Sequence, residues 1–290
     1  MTSIANILNQ TKRIKLKAYF LTRNLTSFWR VLPDVFLIGV QKGGTTSLYD
    51  YLVQHPNILP GFKKAPKFFD HNYYRGIMWY RAHYPTLFKF FKNGEVCRDF
   101  HLIDASQDTI YHPLSAERIS KLIHSNTPRF VVMFRNPVDR AFSHYQHRVR
   151  IGEENLSFED AVKSEPERIS NIREQLINGN ENIPLYNFLN YSYLARGLYA
   201  QQIEIWFNHF PRENFLLLNS EDFFSNPETG YLKVLDFLKI PIIKPINFKN
   251  SNPGGYKDMD PKIRSFLIEY FKPFNKTFFE LIDKVYDWDK

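Results

Sequence analysis

Residues 36–52 leave this chain few folds to choose from. A short apolar run, Phe36-Leu37-Ile38, gives way to Gly39-Val40-Gln41-Lys42-Gly43-Gly44-Thr45-Thr46-Ser47. Leu48-Tyr49-Asp50-Tyr51-Leu52 then resumes with helical spacing. A strand, a glycine-rich turn and a helix in that order aim backbone N–H groups and a helix N-terminus at an anion, typically a phosphate. The loop is not a Walker A sequence, in which the lysine follows the second glycine. Here Lys42 precedes Gly43-Gly44, so its ammonium meets a bound phosphate from a different side.

Further apolar runs continue the pattern. Phe130-Val131-Val132-Met133-Phe134 is short and unbroken, as expected of a strand covered on both faces. Asn214-Phe215-Leu216-Leu217-Leu218 is another, and Val96 to Ala105 reads as a third that ends Phe100-His101-Leu102-Ile103-Asp104-Ala105. Helical stretches fall between and after them: Leu114 to Ser125, Arg140 to Gly152, Phe158 to Glu165, Ala195 to His209, Gly230 to Leu238, and Pro261 to Tyr270 running on toward Val285. Alternating strands and helices imply an α/β fold, a central parallel sheet covered on both sides in three α/β/α layers. Ser164 to Tyr191, polar and rich in asparagine, reads as an insertion or mobile loop of the kind that covers acceptor sites.

A length of 290 residues without a Gly/Ser- or Pro-rich linker suits a single domain over residues 31–290, preceded by a basic lead-in at residues 1–30. The lead-in carries Lys12, Arg13, Lys15 and Lys17 among Ile4, Ile7, Leu8, Ile14 and Leu16, a weakly amphipathic helix suited at most to weak contact with a membrane surface. No continuous apolar stretch is long enough for a secretion signal or a membrane span, so the sequence reads as cytoplasmic. Cys97 is the only cysteine, which excludes an intrachain disulfide, and its neighbours Val96 and Phe100 suggest a buried thiol. The nine histidines form no metal-ligand spacing, so no metal is expected. A net charge of +8 fits an anionic ligand. No RNA-binding motif, zinc finger or dense basic stripe argues for nucleic acid. Nothing in the sequence sets an oligomeric state.

A second anion site follows the 130–134 run. Arg135-Asn136-Pro137-Val138-Asp139-Arg140-Ala141-Phe142-Ser143 puts an arginine at the carboxyl end of a strand, where open α/β sheets place ligands. Ser143 comes on the first turns of the following helix, and an arginine fork plus a hydroxyl makes a clamp for a second phosphate. Two anion sites, each after a strand, suit a nucleotide phosphorylated at both its 5′ and 3′ ends.

Together these segments resemble sulfotransferases that use 3′-phosphoadenosine 5′-phosphosulfate (PAPS). Gly39-x-x-Lys42-x-Gly44-Thr45-Thr46 resembles the family's 5′-phosphosulfate loop, and Arg135 with Ser143 its 3′-phosphate motif. Lys64-Ala65-Pro66-Lys67-Phe68-Phe69-Asp70 looks like the K-E-P-x-F-F segment of the heparan sulfate N- and 3-O-sulfotransferases. His71-Asn72-Tyr73-Tyr74-Arg75-Gly76-Ile77 and Ser143-His144-Tyr145-Gln146-His147 are similar to runs of the N-sulfotransferase domain. Asp104-Ala105-Ser106-Gln107 resembles an E-x-[ST]-P segment, with Asp for Glu and Gln for Pro. Asn252-Pro253-Gly254-Gly255-Tyr256-Lys257 resembles the loop that closes on the 3′-phosphate.

The resemblance implies a P-loop-like fold and sulfuryl transfer to a hydroxyl or amine, most naturally of a carbohydrate or glycolipid. It implies that Lys42 serves the leaving group and that Gly43, Gly44, Thr45, Thr46 and Ser47 hold the 5′-phosphate. Arg135, Ser143, Gly254, Gly255 and Tyr256 would hold the 3′ side. The family's catalytic glutamate is replaced by Ala65, which cannot take a proton. His147, four residues after Ser143 on one helix face, becomes the candidate base, with Asp104 and Asp70 behind it. Asn252 replaces a lysine of the N-sulfotransferase loop. Two other readings stand beside this one: a PAPS-binding relic without efficient catalysis, motivated by Ala65, and a P-loop nucleotide kinase, disfavoured by the absent Walker A lysine.

Overall fold

A computed structural model describes residues 16, 18–92, 95–96, 100–123, 127–243, 247–248 and 258–289. Its centre is a five-stranded parallel sheet built from β1 (Val35–Gly39), β2 (Ile58–Pro60), β5 (His101–Asp104), β6 (Arg129–Phe134) and β7 (Phe215–Asn219). The spatial order is β2-β5-β1-β6-β7. A separate antiparallel pair, β3 (Phe91–Lys92) and β4 (Glu95–Val96), precedes β5. The single run expected from Val96 to Ala105 is therefore two elements, Glu95–Val96 in the small pair and His101–Asp104 in the main sheet.

Alternate residues of the apolar runs serve opposite faces, as the pleat requires. Phe36, Ile38, Phe130, Val132 and Phe134 pack on one side with Tyr199, Ile203, Trp206 and Phe278. Val35, Leu37, Val131 and Met133 pack on the other with Leu48, Leu52, Val234 and Leu235. The longer helices are α1 (Thr45–Leu52), α2 (Ser115–Leu122), α3 (Pro137–Arg150), α4 (Phe158–Arg168), α5 (Tyr199–His209), α6 (Pro227–Leu238) and α7 (Pro261–Ile282), and α1, α5, α6 and α7 supply those partners. Helices α1 and α6 meet on one face, and α2, α5 and α7 cover the other. This is the three-layer α/β/α arrangement.

Two readings need correction. Ser164 to Tyr191 is largely helical, holding the end of α4 and the short helices Ile172–Ile177 and Tyr186–Asn190. Its asparagines mark helix ends (Asn171 before the first short helix, Asn178 after it), while Leu176, Phe188 and Leu189 bury against Tyr111. The strand β2 went unnoticed because it has three residues, one of them Pro60, and occupies the sheet edge where proline is tolerated.

The chain's far end returns to the sheet. Trp288 is 1% exposed and packs on Phe278 and Tyr199. Asn136, which caps α3 by accepting from the Val138 and Asp139 N–H groups, donates its side-chain amide to the Trp288 carbonyl at 3.0 Å. Glu221 binds both, accepting from the Asn136 N–H at 2.9 Å and the Trp288 indole at 3.3 Å.

Candidate active site

Neighbouring strands β1 and β6 end side by side, and the loops after them meet. The Val40 N–H donates to the Met133 carbonyl at 2.9 Å, and Arg135 donates through Nη1 to the Lys42 carbonyl at 3.0 Å. Tyr199 in turn fixes Arg135, its hydroxyl donating to the Arg135 carbonyl at 2.7 Å. Lys42 sits at φ 71°, in the left-handed region that non-glycine residues seldom adopt. Gly44 follows at φ 91° and precedes α1.

Gly43 is required by close approach to backbone, and Gly44 chiefly by its left-handed φ. A Cβ on Gly43 would lie 2.5 Å from the Met133 carbonyl oxygen, and one on Gly44 would lie 2.7 Å from the Phe224 ring. Ser220, at the end of β7, donates to the Gly43 carbonyl at 2.6 Å. The loop is therefore held from three strands.

The first amide bond of the helical ladder joins the Leu48 N–H to the Gly44 carbonyl at 3.2 Å. The amides of residues 44–47 precede it and point out of the helix N-terminus. Gly43 differs from expectation: its N–H turns inward to the Val40 carbonyl at 3.0 Å, so this amide closes the loop instead of facing a phosphate. The Ser47 hydroxyl is bonded to the Tyr51 phenol one turn on, leaving Thr45 and Thr46 as the loop's hydroxyl candidates.

The electrostatics of the site are one-sided. Burial, followed by the charges of Arg150, Arg135, Arg140 and Arg148, lowers Lys42 from 10.5 to about 8. Each of those causes disfavours the ammonium. Cations gathered around a half-buried lysine make a strong anion site. Several of their polar atoms are also buried without a partner, including both ring nitrogens of His144, Arg140 Nε and Nη1, and Arg148 Nε. Burial and the nearby Arg140, Arg196, Arg148 and Lys42 push His144 well below its usual 6.5, keeping it neutral. Buried donors left over on a cationic wall fit a multiply charged phosphate ligand.

These groups come mostly from α3. Arg140, His144 and Arg148 recur every four residues, so they share a helix face, and Ser143 and His147 lie beside it. Ser143 is buried and His147 half-buried. His147 is lowered by burial, then by Lys42, Arg148 and Arg150. The structure thus brings Lys42, Arg135 and His147 together, with Ser143 one turn before the histidine. Its Nδ1 lies 3.1 Å from Arg150 Nη2, so the arginine donates to the ring's lone pair in this arrangement. Arg140, His144, Arg148 and Arg150 were not recognised from the sequence as site residues, although the four-residue spacing of Arg140, His144 and Arg148 was a visible signal. Gly254, Gly255, Tyr256, Asn252 and Cys97 lie outside the described residues.

The polar groups at the end of β5 are different. Residues 64–67 are strapped to the end of β5: the Ala105 N–H donates to the Lys64 carbonyl at 3.1 Å, and the Lys67 N–H to Ser106 Oγ at 3.0 Å. Ala65 lies on this strap. Asp104 is buried and accepts from Tyr80 Oη (2.7 Å), Tyr84 Oη (3.2 Å), Ser106 Oγ (2.6 Å) and the Ser106 N–H (3.0 Å). Burial raises it to about 6 against those bonds. With four donors satisfied, it is a structural carboxyl. Asp70, also buried, stands 3.1 Å from His71 Nδ1. Asp70, His71 and Asp108 bring ligand atoms within 4.8 Å of one another. Lys67 (2.7 Å) and Arg196 (3.0 Å) both bind Asp108, however, and put two cations where a metal would sit.

The sequence matches the sulfotransferase domain family over residues 32–266. The chain belongs to this family. It is 25% identical to mouse heparan sulfate glucosamine 3-O-sulfotransferase 3B1, over 89% of this chain and 65% of that protein. It is 27% identical to human bifunctional heparan sulfate N-deacetylase/N-sulfotransferase 3, over 88% of this chain and 30% of the relative. A sulfotransferase from Alicyclobacillus acidocaldarius has a similar crystal structure, with TM-score 0.69, 27% identity, and coverage of 90% of this chain and all of that one. The chain therefore spans less than two thirds of the length of these heparan sulfate relatives. Among the described residues, no helix is long and apolar enough to cross a membrane.

Proposed function

We propose that the protein transfers the sulfuryl group of PAPS to a hydroxyl or amine of a carbohydrate or glycolipid. The observation that carries this is Lys42 on a left-handed loop residue at the sheet's carboxyl edge, ringed by arginines and lowered to about 8. The relatives whose names specify heparan sulfate favour a carbohydrate acceptor.

In this reading the new bond joins the acceptor oxygen or nitrogen to sulfur, and the bond from sulfur to the bridging phosphate oxygen breaks. Lys42 neutralises charge building on that oxygen. The amides of residues 44–47, with Thr45 and Thr46, hold the 5′-phosphate, and Arg135 and Ser143 hold the 3′-phosphate. His147 takes the acceptor proton once Arg150 releases its ring. Arg150 is exposed and free to turn toward an anion. None of these assignments calls on a metal.

A second reading, a PAPS-binding relic, draws on Ala65. Radiolabelled PAPS with a panel of saccharides separates the two. Sulfate transfer that vanishes in Lys42→Ala supports the enzyme. A silent wild type whose transfer is switched on by Ala65→Glu establishes the relic.

A further inference from the structure

Residues 18–29 form a helical segment with apolar side chains on both sides, only one of which is docked. The inner side is fully engaged. Phe20 packs on His83 and Phe62, Arg23 donates to the Ala82 and Tyr84 carbonyls at 2.7 and 2.8 Å, and Ser27 is completely buried. The outer side carries Leu21 and Leu25, 62% and 72% exposed and one helical turn apart, followed by Phe28 and Trp29 at 53% and 50%. Leu87 and Phe88, exposed at 45% and 66%, extend it from a distant part of the chain, with Phe88 meeting the Trp29 ring edge-on at 6.4 Å.

Together these side chains expose on the order of 500 Å² of apolar surface, above what scattered surface residues leave. The charge in the sequence of this segment is of one sign. The first 33 residues hold six lysines and arginines and no aspartate or glutamate. Leucine and aromatic side chains on an all-basic segment are the chemistry of an interfacial helix, which lies in the headgroup plane without spanning the bilayer.

We propose that this face docks on an anionic lipid surface. The leucines and aromatic rings enter the headgroup–acyl boundary and the basic side chains meet the lipid phosphates. This stands apart from the transfer chemistry, since none of these residues touches the Lys42 loop.

The test is co-sedimentation of the full chain with vesicles of phosphatidylcholine alone and of phosphatidylcholine with phosphatidylglycerol. Binding should favour the anionic vesicles by at least about tenfold and fade at about 1 M salt. Leu25→Ser with Phe88→Ser should lower binding by more than about tenfold while leaving thermal melting unchanged. Trp29→Phe should keep the binding but abolish fluorescence quenching by brominated lipid. Equal partition to both vesicle types, undiminished binding by the double variant, or a self-association broken by the same two substitutions in place of vesicle binding would each overturn the proposal.

Discussion

The Lys42 and α3 groups, the donor wall of the proposed site, and the groups at the end of β5, its acceptor wall, handle charge differently. On the donor wall, Lys42 is crowded by arginines, and several buried donors on α3 lack partners. At the acceptor wall Asp104 is held by two tyrosines and Ser106, and Asp108 by Lys67 and Arg196, while Asp70 Oδ1 is buried without a hydrogen-bond partner. An unbalanced wall is costly until a ligand arrives, whereas a balanced wall is complete without one. In the proposed reading the first captures the ligand and the second shapes the site.

The sharpest way to break this contrast is Lys42→Ala, expected to lower transfer from radiolabelled PAPS by about 10²–10³-fold. A variant retaining a tenth of wild-type turnover would end the donor-wall assignment. His147→Gln is expected to reduce kcat by about 10²-fold with a small change in donor KM, which a full kinetic titration separates. Undiminished kcat would remove the base from α3 and return it to the acceptor wall.

Arg135→Ala should weaken 3′-phosphoadenosine 5′-phosphate by about 10–100-fold and adenosine 5′-phosphate much less, measured by calorimetry. Equal losses would mean that the arginine does not read the 3′ end. Arg150→Ala tests the coupling within the donor wall. Arg150 depresses both Lys42 and His147, so its removal should move both limbs of the pH–rate profile upward. The acidic limb follows His147, lowered from 6.5, and the basic limb Lys42, near 8 in the free protein. A downward or absent shift would contradict the placement.

Asp104→Asn should affect the chemistry least, with turnover within about twofold and stability down by about 1–3 kcal/mol as four donors lose a carboxylate. The folded Asp104 titrates near 6 against an ordinary 3.8, so the folded state holds its proton longer. The contribution of this group to stability then falls as pH rises from about 4 to 6, and the variant should lack that slope in urea unfolding. A large loss of turnover would promote Asp104 from scaffold to chemistry.

Much of the donor wall was legible because its signals are local. The Gly39–Ser47 loop and the Arg135-to-Ser143 spacing each lie within one strand-to-helix turn, where residue type and backbone geometry determine each other. What escaped depends on distant partners. Helical spacing places Arg140, His144 and Arg148 on one face, but not that the face looks at Lys42. The inward turn of the Gly43 amide depends on Val40 and is invisible in a motif. The helices within Ser164 to Tyr191 were hidden by asparagines that sit at helix ends, while Leu176 and Phe188 anchor the segment on Tyr111.

The clasp of Asn136, Glu221 and Trp288 has a consequence in time. The helix that carries Ser143 and His147 is capped by an asparagine whose side chain is secured by Trp288, 152 residues further along the chain. On a ribosome that makes the chain from its N-terminus, the cap stays unsecured until synthesis passes Trp288. In the proposed reading the donor site is thereby completed only after residues 136–288 have all emerged, and a chain cut short at Tyr286 would have the whole phosphate loop without the contact that secures the cap of α3.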